Sequence, residues 1–540
     1  MGGYYGHIEL ESLKHEILHK ESPLGAELKI EYESSAIRVD GYVYNLPQLQ
    51  NKFATKSHGL AVKASYEKSN DNFPSELKGE FSSLTITPER IEIATNQTSS
   101  KRIFYALQRG KLYFHYNLKL LQAALEFNGF QSTPNPLALR SLISIGGVFG
   151  NQTVISGINL LRAGEKIIIE AGKHHIHRYY LPNSSPTSLS KKDYLEELHS
   201  RFLNTVKEQY QHPETSNFQL LSGGLDSRQN LSLAKQNGIT QEAVLCFGQT
   251  DYRDHWISQE IANHYGVNYE FVSLENGDYL KNIDENTLAV DGLNFYASSA
   301  HFNYALDQSS TTQSIIHTGQ IGRTIFTEHA FGLWQNVSEY SALLCSSMFA
   351  DSINTELKAE MELYQNIDVF YLNNRLYRVI SSGSFVAQKK GCIVSPFADP
   401  EVQDLAYSMP DLWKKSGKLQ WEYLWKYHNE VMQFPQEEYG RKVRSFPEMF
   451  VGKVQNKLRN IYYKKINKHP EKLSMNPLNH WYETNEGLRD YWDNYYAENI
   501  DRLDFDSELK GFCSTLFNSE NLLEKTLALT VLSVMKNYFN

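Results

Sequence analysis

What this chain lacks narrows it first. No apolar run approaches the roughly 18 residues that a membrane-spanning helix needs, and residues 1–10 carry no basic-then-apolar leader pattern. Only four residues are cysteine, Cys246, Cys345, Cys392 and Cys513, and none forms a Cys-x-x-Cys pair. That spacing excludes a disulfide framework and a thiolate zinc site, and fits reduced thiols in a cytoplasm. Basic charge is not in excess: 53 Lys and Arg face 62 Asp and Glu, a net charge of -9. This is the wrong sign for a dedicated nucleic-acid binder. Internal repeats and low-complexity tracts are absent too. The expectation is a soluble cytoplasmic protein with neither a membrane nor a nucleic acid as partner.

What is present is a globular composition, 41% apolar over 540 residues, long enough for two or more domains with large cores. Across the first 180 residues, short alternating segments recur at 36–43, 82–93, 111–115 and 165–169. They predict antiparallel strands joined by Gly, Asn and Ser turns, interrupted by helices over 117–127 and 136–142. The Pro- and Ser-rich run 181–189 reads as a linker. Ser190 followed by Asp193 forms a capping box for a helix that puts Leu195, Leu198, Phe202 and Val206 on one face. Beyond it the rhythm becomes strand, helix, strand. Strands are predicted at 218–221, 243–247, 269–274 and 314–318, with helices over 227–236 and 256–264 between the first three. That order implies a parallel sheet with helices on both faces. From about residue 356 the chain reads as mainly helical.

The most informative stretch is Leu220-Leu221-Ser222-Gly223-Gly224-Leu225-Asp226-Ser227, a buried strand running into a glycine pair, a carboxylate and hydroxyls. Such a turn can gather backbone N–H groups around a phosphate at the start of a helix. Asp226 can then hold the magnesium that accompanies the phosphates. The Walker lysine is missing, so this is a different cradle from the commoner phosphate loop.

Other motifs carry less. His15-Glu16-Ile17-Leu18-His19 matches the zinc-protease pattern, but Ser22-Pro23 ends any helix early and no third ligand follows, so it reads as surface histidines. The basic, aromatic stretch 453–472 reads as a solvated helical face with snorkelling lysines. Glycosylation sequons at Asn96, Asn151, Asn183, Asn230 and Asn336 mean nothing in a cytoplasm. Asp251 and Asp254 follow a strand end, where one can approach a ribose or substrate. Asp399 reads as a helix cap.

The Ser222 turn resembles the SGGxDS loop of the PP-loop ATP pyrophosphatases. The order of features resembles the asparagine-synthetase family almost end to end, together with its β-lactam synthetase and lasso-peptide cyclase relatives. Met1-Gly2-Gly3-Tyr4-Tyr5-Gly6 is similar to that family's MCGxxG start, and Gly41-Tyr-Val-Tyr-Asn45 to its GEIYN strand. Lys111-Leu-Tyr-Phe114 with Leu118-Lys119 resembles its LYFASDLKAL segment, Gly164 with Tyr179-Tyr180 its PG…YW ending, and Ser395-Pro-Phe-Ala-Asp399 its PFxD segment. The resemblance implies an N-terminal antiparallel αββα sandwich of the Ntn-hydrolase, class II amidotransferase type over residues 1–180. A linker at 181–192 and a PP-loop synthetase domain over 193–540, with a helical C-terminal part, would follow.

Three departures stand beside these matches. The family's glutaminase nucleophile follows the initiator methionine, and here that position is Gly2, so glutamine hydrolysis is expected to be lost. The family's second turn, SGEGxDE, corresponds to Thr318-Gly319-Gln320-Ile321-Gly322-Arg323-Thr324. Gln320 replaces a glutamate and Arg323 the aspartate that shares the magnesium. A guanidinium cannot bind the cation but can pair with pyrophosphate oxygens. The family also carries a late lysine that reaches the pyrophosphate. Phe434-Pro435 followed by Arg441-Lys442 resembles that segment, making Lys442 the candidate and Arg441 the reserve.

The activity implied is ATP-dependent amide formation through an acyl-adenylate, releasing AMP and pyrophosphate. Ser222, Gly223, Gly224 and Ser227 would hold pyrophosphate, Asp226 magnesium, and Leu220, Phe247, Thr318 and Gly319 adenine and ribose. Lys442 and Arg323 would answer the charge of the departing group. Partners are a small-molecule or peptide carboxylate and an amine or ammonia donor, in natural-product or surface-polysaccharide biosynthesis; a homodimer is admitted by this reading. An ammonia-using asparagine synthetase and a non-catalytic ATP-binding scaffold are the alternatives.

Overall fold

The alternation read in the first 180 residues folds as two antiparallel sheets. In the computed structural model, residues 2–23, 27–211, 216–326, 345–346, 349–364, 366–414, 417–466 and 469–539 are described; the Asn336 sequon lies outside them. Strands β1 (Gly3–Glu9), β2 (His15–Lys20), β3 (Leu28–Tyr32), β4 (Ser35–Val43), β5 (Gly79–Ile86), β6 (Arg90–Thr95), β7 (Phe104–Gln108), β8 (Lys111–His115), β9 (Asn159–Leu160), β10 (Glu165–Glu170) and β11 (Lys173–Arg178) divide between them. One sheet runs β2-β1-β8-β7-β9 and the other β11-β10-β6-β5-β4-β3.

Alternation supplies each sheet with an inner face. Ile8, Leu112 and Phe114 from one sheet meet Leu84, Ile91, Ile93, Ile167 and Ile169 from the other. Each such side chain contributes about 1.5–3 kcal/mol on burial. Helices α1 (Leu46–Lys52) and α2 (His58–Ser69) cover the outer face of β4 and β5 through Ile37, Val39 and Phe81. Helices α3 (Leu118–Phe127) and α4 (Pro136–Ile145) cover β7 through Phe104 and Ala106. The result is the four-layer arrangement expected. Asn117 and Asn135 cap α3 and α4 by accepting the N–H groups of Leu120 and Ala138.

The His15–His19 motif lies within β2 and is not helical. Two strand residues four apart are about 13 Å from each other, too far to share a zinc ion. The ring of His19 instead hydrogen-bonds to the buried Asp40 carboxylate at 2.8 Å.

In the second half, α5 (Lys191–Gln209) starts at Ser190, which accepts the Asp193 N–H as the capping box predicts. Then follow β12 (Ser216–Leu220), α6 (Leu225–Gln236), β13 (Ala243–Gly248), α7 (Arg253–Tyr265), β14 (Asn268–Ser273), β15 (Ser314–His317) and β16 (Gly391–Val394). All five strands are parallel, in the order β14-β13-β12-β15-β16. Helices α6 and α7 pack one face through Leu231, Ile257 and Ile261, and Phe302 and Leu306 the other. Strand β16 (Gly391–Val394) is a four-residue apolar run inside a stretch that reads as mainly helical in the sequence.

The two halves share one core. The helix Leu522–Tyr538 packs with α3 and α4 through Leu527, Val531 and Leu532. Arg102 donates to Asp291 at 2.9 Å and lies 3.3 Å above the Phe385 ring. Arg162 forks onto Glu360 at 2.8 and 2.6 Å. Asp399 caps its helix, as expected, by accepting the N–H groups of Glu401 and Val402. No helix among the described residues is long and apolar enough to cross a membrane.

Glu80 joins β5 to the outer strand of the parallel sheet, its Oε2 accepting the Ile393 N–H at 3.2 Å. Burial pushes this carboxyl up to about 8 against the pull of Lys101. The folded state therefore holds a proton that the unfolded chain releases near pH 4.3. This group's share of stability is complete below that pH and is lost as pH rises through about 8. Glu80→Gln should accordingly be more stable than the parent at pH 8.5, with the advantage shrinking toward pH 5. Thermal melts with parallel pH slopes would show that Glu80 is ionised throughout.

Candidate functional site

In an open parallel sheet, ligands sit beyond the carboxyl ends of the strands where the strand order reverses. Here the reversal lies between β12 and β15, whose ends lead into the turns at 221–224 and 318–321. A cleft of about 300 Å³ opens there, at the small end of ligand pockets. The predicted residues Leu220, Ser222, Gly224, Asp226, Ser227, Phe247, Thr318 and Gly319 all line it. No lysine or arginine does, among the described residues.

The second turn lies directly on Asp226. A Cβ on Gly319 would come within 2.5 Å of the Ser227 nitrogen, and one on Gly322 within 2.6 Å of the Asp226 Cγ. Only glycine permits this approach. Ile321 between them has a φ of +63°, which costs a β-branched residue on the order of 1–3 kcal/mol. Its buried side chain packs with Ile325 and Phe326, and that packing holds the turn in place.

This contact fixes the Asp226 carboxylate. Its Oδ2 accepts the Arg323 N–H at 2.8 Å, and its Oδ1 accepts from Gln420 Nε2 at 3.0 Å. Burial pushes the carboxyl up to about 6, opposed by those two donors and the Arg323 charge. Arg323 is itself exposed, so the predicted residue meets Asp226 through backbone and field rather than through a bridge.

The loop is tightly self-bonded. Ser227 Oγ accepts the Ser222 N–H and Ser222 Oγ the Gly224 N–H, both at 3.1 Å. The Gly223 N–H is taken up by Asp254 Oδ1, at 2.7 Å, and Asp254 itself lines the cleft. Burial and the nearby Glu437 charge push Asp254 up to about 6. Gly224 is the N-cap of α6 and has no side chain with which to cap the leading N–H groups.

Three residues singled out in the sequence are elsewhere. Lys442 donates to Gln433 Oε1, and Arg441 to Gln455 Oε1 at 3.2 Å. A bridge between Gln436 and Arg441, with Gly440 at a φ of +62°, folds this segment back on itself and keeps both cations out of the cleft lining. Asp251 pairs at the surface with Lys472 at 3.2 Å.

Sequence reading missed three contributors. Arg228, wholly buried, donates to the carbonyls of Gly223 (2.6 Å), Pro435 and Val431 (3.3 Å), clamping the loop to the 431–437 segment. A guanidinium beside a motif serine on a helix carrying Leu225, Leu231 and Leu233 was a readable signal. Gln420 lies 194 positions from its partner Asp226 and gave none. His301, kept neutral by burial at about 4, also lines the cleft.

The position of the expected nucleophile is closed. A Cβ on Gly2 would come within 2.5 Å of the Lys20 oxygen and the Ser22 nitrogen. A second cavity, about 60 Å³, lies between the sandwich and the parallel sheet and shares Gln320 with the cleft.

No family model matches the chain, and no curated protein matches it. Among solved structures, the allosteric regulatory enzyme of purine biosynthesis aligns with 50% of this chain and 74% of its own, at 10% identity and a TM-score of 0.23. The glutamine phosphoribosylpyrophosphate amidotransferase of B. subtilis, complexed with ADP and GMP, aligns with 59% and 75%, at 11% identity and a TM-score of 0.22. Likenesses that weak carry no argument about this chain.

The close approach of the turns yields a direct test. Gly322→Ala should lower the melting temperature and abolish any stabilisation by ATP. Gly511→Ala, in a helix with nothing within 4 Å of the added carbon, should be neutral or stabilise by about 0.5–1 kcal/mol. Equal melting curves for the two variants would show that the turn does not press on Asp226.

Proposed function

We propose that the chain is an ATP-dependent ligase of the asparagine-synthetase kind, forming an amide through an acyl-adenylate and taking nitrogen from a free amine or ammonia. The observation that carries this reading is the placement of the Ser222–Ser227 turn and the uncapped start of α6 at the sheet's reversal, with Asp226 at the same cleft. A helix start of this kind favours an anion through its N–H groups and dipole.

The donor set suits magnesium of the nucleotide-borne type. Such an ion keeps one or two carboxylates and takes its other ligands from phosphates and water. Asp226 can supply that carboxylate by exchanging the Gln420 and Arg323 donors now on its oxygens. The ion would screen phosphate charge, and the remaining roles belong to the chain. Gly224 and the leading amides of α6 would receive pyrophosphate, Leu220 and Phe247 would wall the base, and Arg323 would supply positive charge at the rim. The acid's oxygen would then displace pyrophosphate from the α-phosphorus, and the amine would displace AMP from the acyl carbon while losing a proton.

The internal hydrogen bonds of the loop and the outward placement of Lys442 favour a second reading, a non-catalytic nucleotide-binding scaffold. ATP–pyrophosphate exchange with pools of carboxylic acids separates the two. The ligase should exchange label in the presence of its acid, and Asp226→Asn should reduce the rate by about 100-fold or more. Arg323→Asp should change the magnesium dependence. Absence of exchange with every acid pool would leave the scaffold.

The same reading fixes the nitrogen source. Ammonium or a primary amine, but not glutamine, should support AMP release, and Gly2→Cys should not create a glutaminase because the backbone at 20–22 fills the space of its side chain. Glutamate release from glutamine by the parent chain would refute this.

A further inference from the structure

The helix Phe446–Ile461 and the turn that follows it, to Ile466, are amphipathic with the apolar side outward. At 100° per residue, Gly452, Asn456, Arg459 and Tyr463 share one face, and that face meets the body. A Cβ on Gly452 would touch the Tyr439 ring at 2.8 Å. Asn456 Oδ1 accepts from Arg253 at 3.1 Å, and Arg459 donates to the Lys472 carbonyl at 2.5 Å while lying over Tyr463. The opposite face carries Phe450, Val454, Leu458 and Ile461, which are 44 to 70% exposed, with Val451 and Ile466 beside them. Nothing among the described residues covers it.

Globular proteins turn such faces inward. Here small and polar residues make the tertiary contacts, so the outward apolar strip is the helix's own feature and not the back of a buried one. Exposed apolar area of this kind marks an interface.

Charge identifies the occupant. Between 446 and 466 there are five cations, Lys453, Lys457, Arg459, Lys464 and Lys465, against Glu448 alone, whereas the whole chain has a net charge of -9. On the wheel Lys453, Lys457 and Lys464 fall along one flank of the apolar strip. Their stems can lie on apolar material with the ammonium groups in water. A second copy docked antiparallel about a two-fold axis would set these cationic flanks against each other. A negatively charged lipid surface would instead attract this helix and repel the acidic remainder, fixing one orientation.

We propose that the Phe446–Ile461 helix docks the protein on anionic lipid membranes, its apolar strip among the headgroups and acyl chains. This replaces the expectation of a merely solvated basic face and of a chain without a membrane partner. It does not depend on the ligase reading. Arg253, which anchors the inner face of the helix, precedes the Asp254 that holds the Gly223 amide, so the helix is tied to the residue next to the loop's anchor.

Co-sedimentation of the full-length protein with vesicles tests this. Phosphatidylglycerol-containing vesicles should carry the protein down at low salt, pure phosphatidylcholine should not, and high salt should weaken binding by about tenfold or more. Phe450→Ser with Leu458→Ser should abolish the effect, and Lys453→Glu with Lys457→Glu should reduce it at least as far as high salt does. These side chains are exposed, so the melting temperature should be unchanged and should report intact folding. Failure to bind anionic vesicles overturns the proposal, as does equal binding to neutral ones. A dimer in light scattering that the serine pair dissociates, without lipid binding, would assign the face to a second copy.

Discussion

Everything at the cleft depends on two turns from neighbouring strands approaching closer than any side chain allows. Parallel strands β12 and β15 bring their carboxyl ends side by side at the reversal of the sheet. Gly319 and Gly322 then let the second backbone rest on Asp226, at separations that a methyl group would violate by several tenths of an ångström. Burial beneath that backbone leaves the carboxylate well above the usual carboxylate range, against the opposing pull of the Arg323 N–H, the Gln420 amide and the Arg323 charge. The strained Ile321 is the local cost of that approach, offset by burial of its side chain.

The first turn is held from below by Arg228 and from the side by Asp254. One buried guanidinium satisfies several carbonyls of two segments that would otherwise carry orphan acceptors, and so binds the loop to 431–437. Burial lowers the Arg228 pKa to about 10, which still leaves it charged at neutral pH, and the carboxylates of Asp254 and Glu437 favour that state. The clamp also explains the position of Lys442. With residues 431–437 fixed to the loop and the chain reversed at Gly440, the lysine emerges on the outer side of the hairpin.

Local chemistry was legible and long-range chemistry was not. Alternation marked β4, β5 and β6, β8 and β10 of the two sandwich sheets, because period two and a buried face are one physical fact, while the other strands were not singled out. Ser190 and Asp399 announced helix starts as capping residues. The loop motif placed five residues in one cleft because a strand, a tight turn and a helix leave little freedom between Leu220 and Ser227. Gln420 and His301 arrive from helices with no motif, so no local pattern marked them. Lys442 failed for the converse reason: a Phe-Pro followed by basic residues specifies composition, whereas the direction of its side chain is set by a reversal at Gly440. The stretch 453–472 read as a solvated basic face, and its apolar strip went unremarked because which side of the 446–461 helix meets the body is decided by Tyr439 and Arg253, outside the segment.

The N-terminal sandwich has no nucleophile at Gly2 and no space for one, yet the rest of the molecule requires it. Strand β16 is an outer strand of the parallel sheet, and an uncovered edge invites pairing with other chains. Here β5 lies against it, Glu80 takes its Ile393 N–H, and Tyr42 and Tyr44 pack on Cys392 and Val394. On the far side, α3 and α4 share their apolar core with the C-terminal helix. The buried Arg102–Asp291 and Arg162–Glu360 pairs cross the same boundary, where loss of one partner would strand a buried charge. Removing the sandwich would expose a sheet edge, a helix face and several ions together. Its place in the chain is therefore accounted for by what it covers, whether or not it performs chemistry of its own.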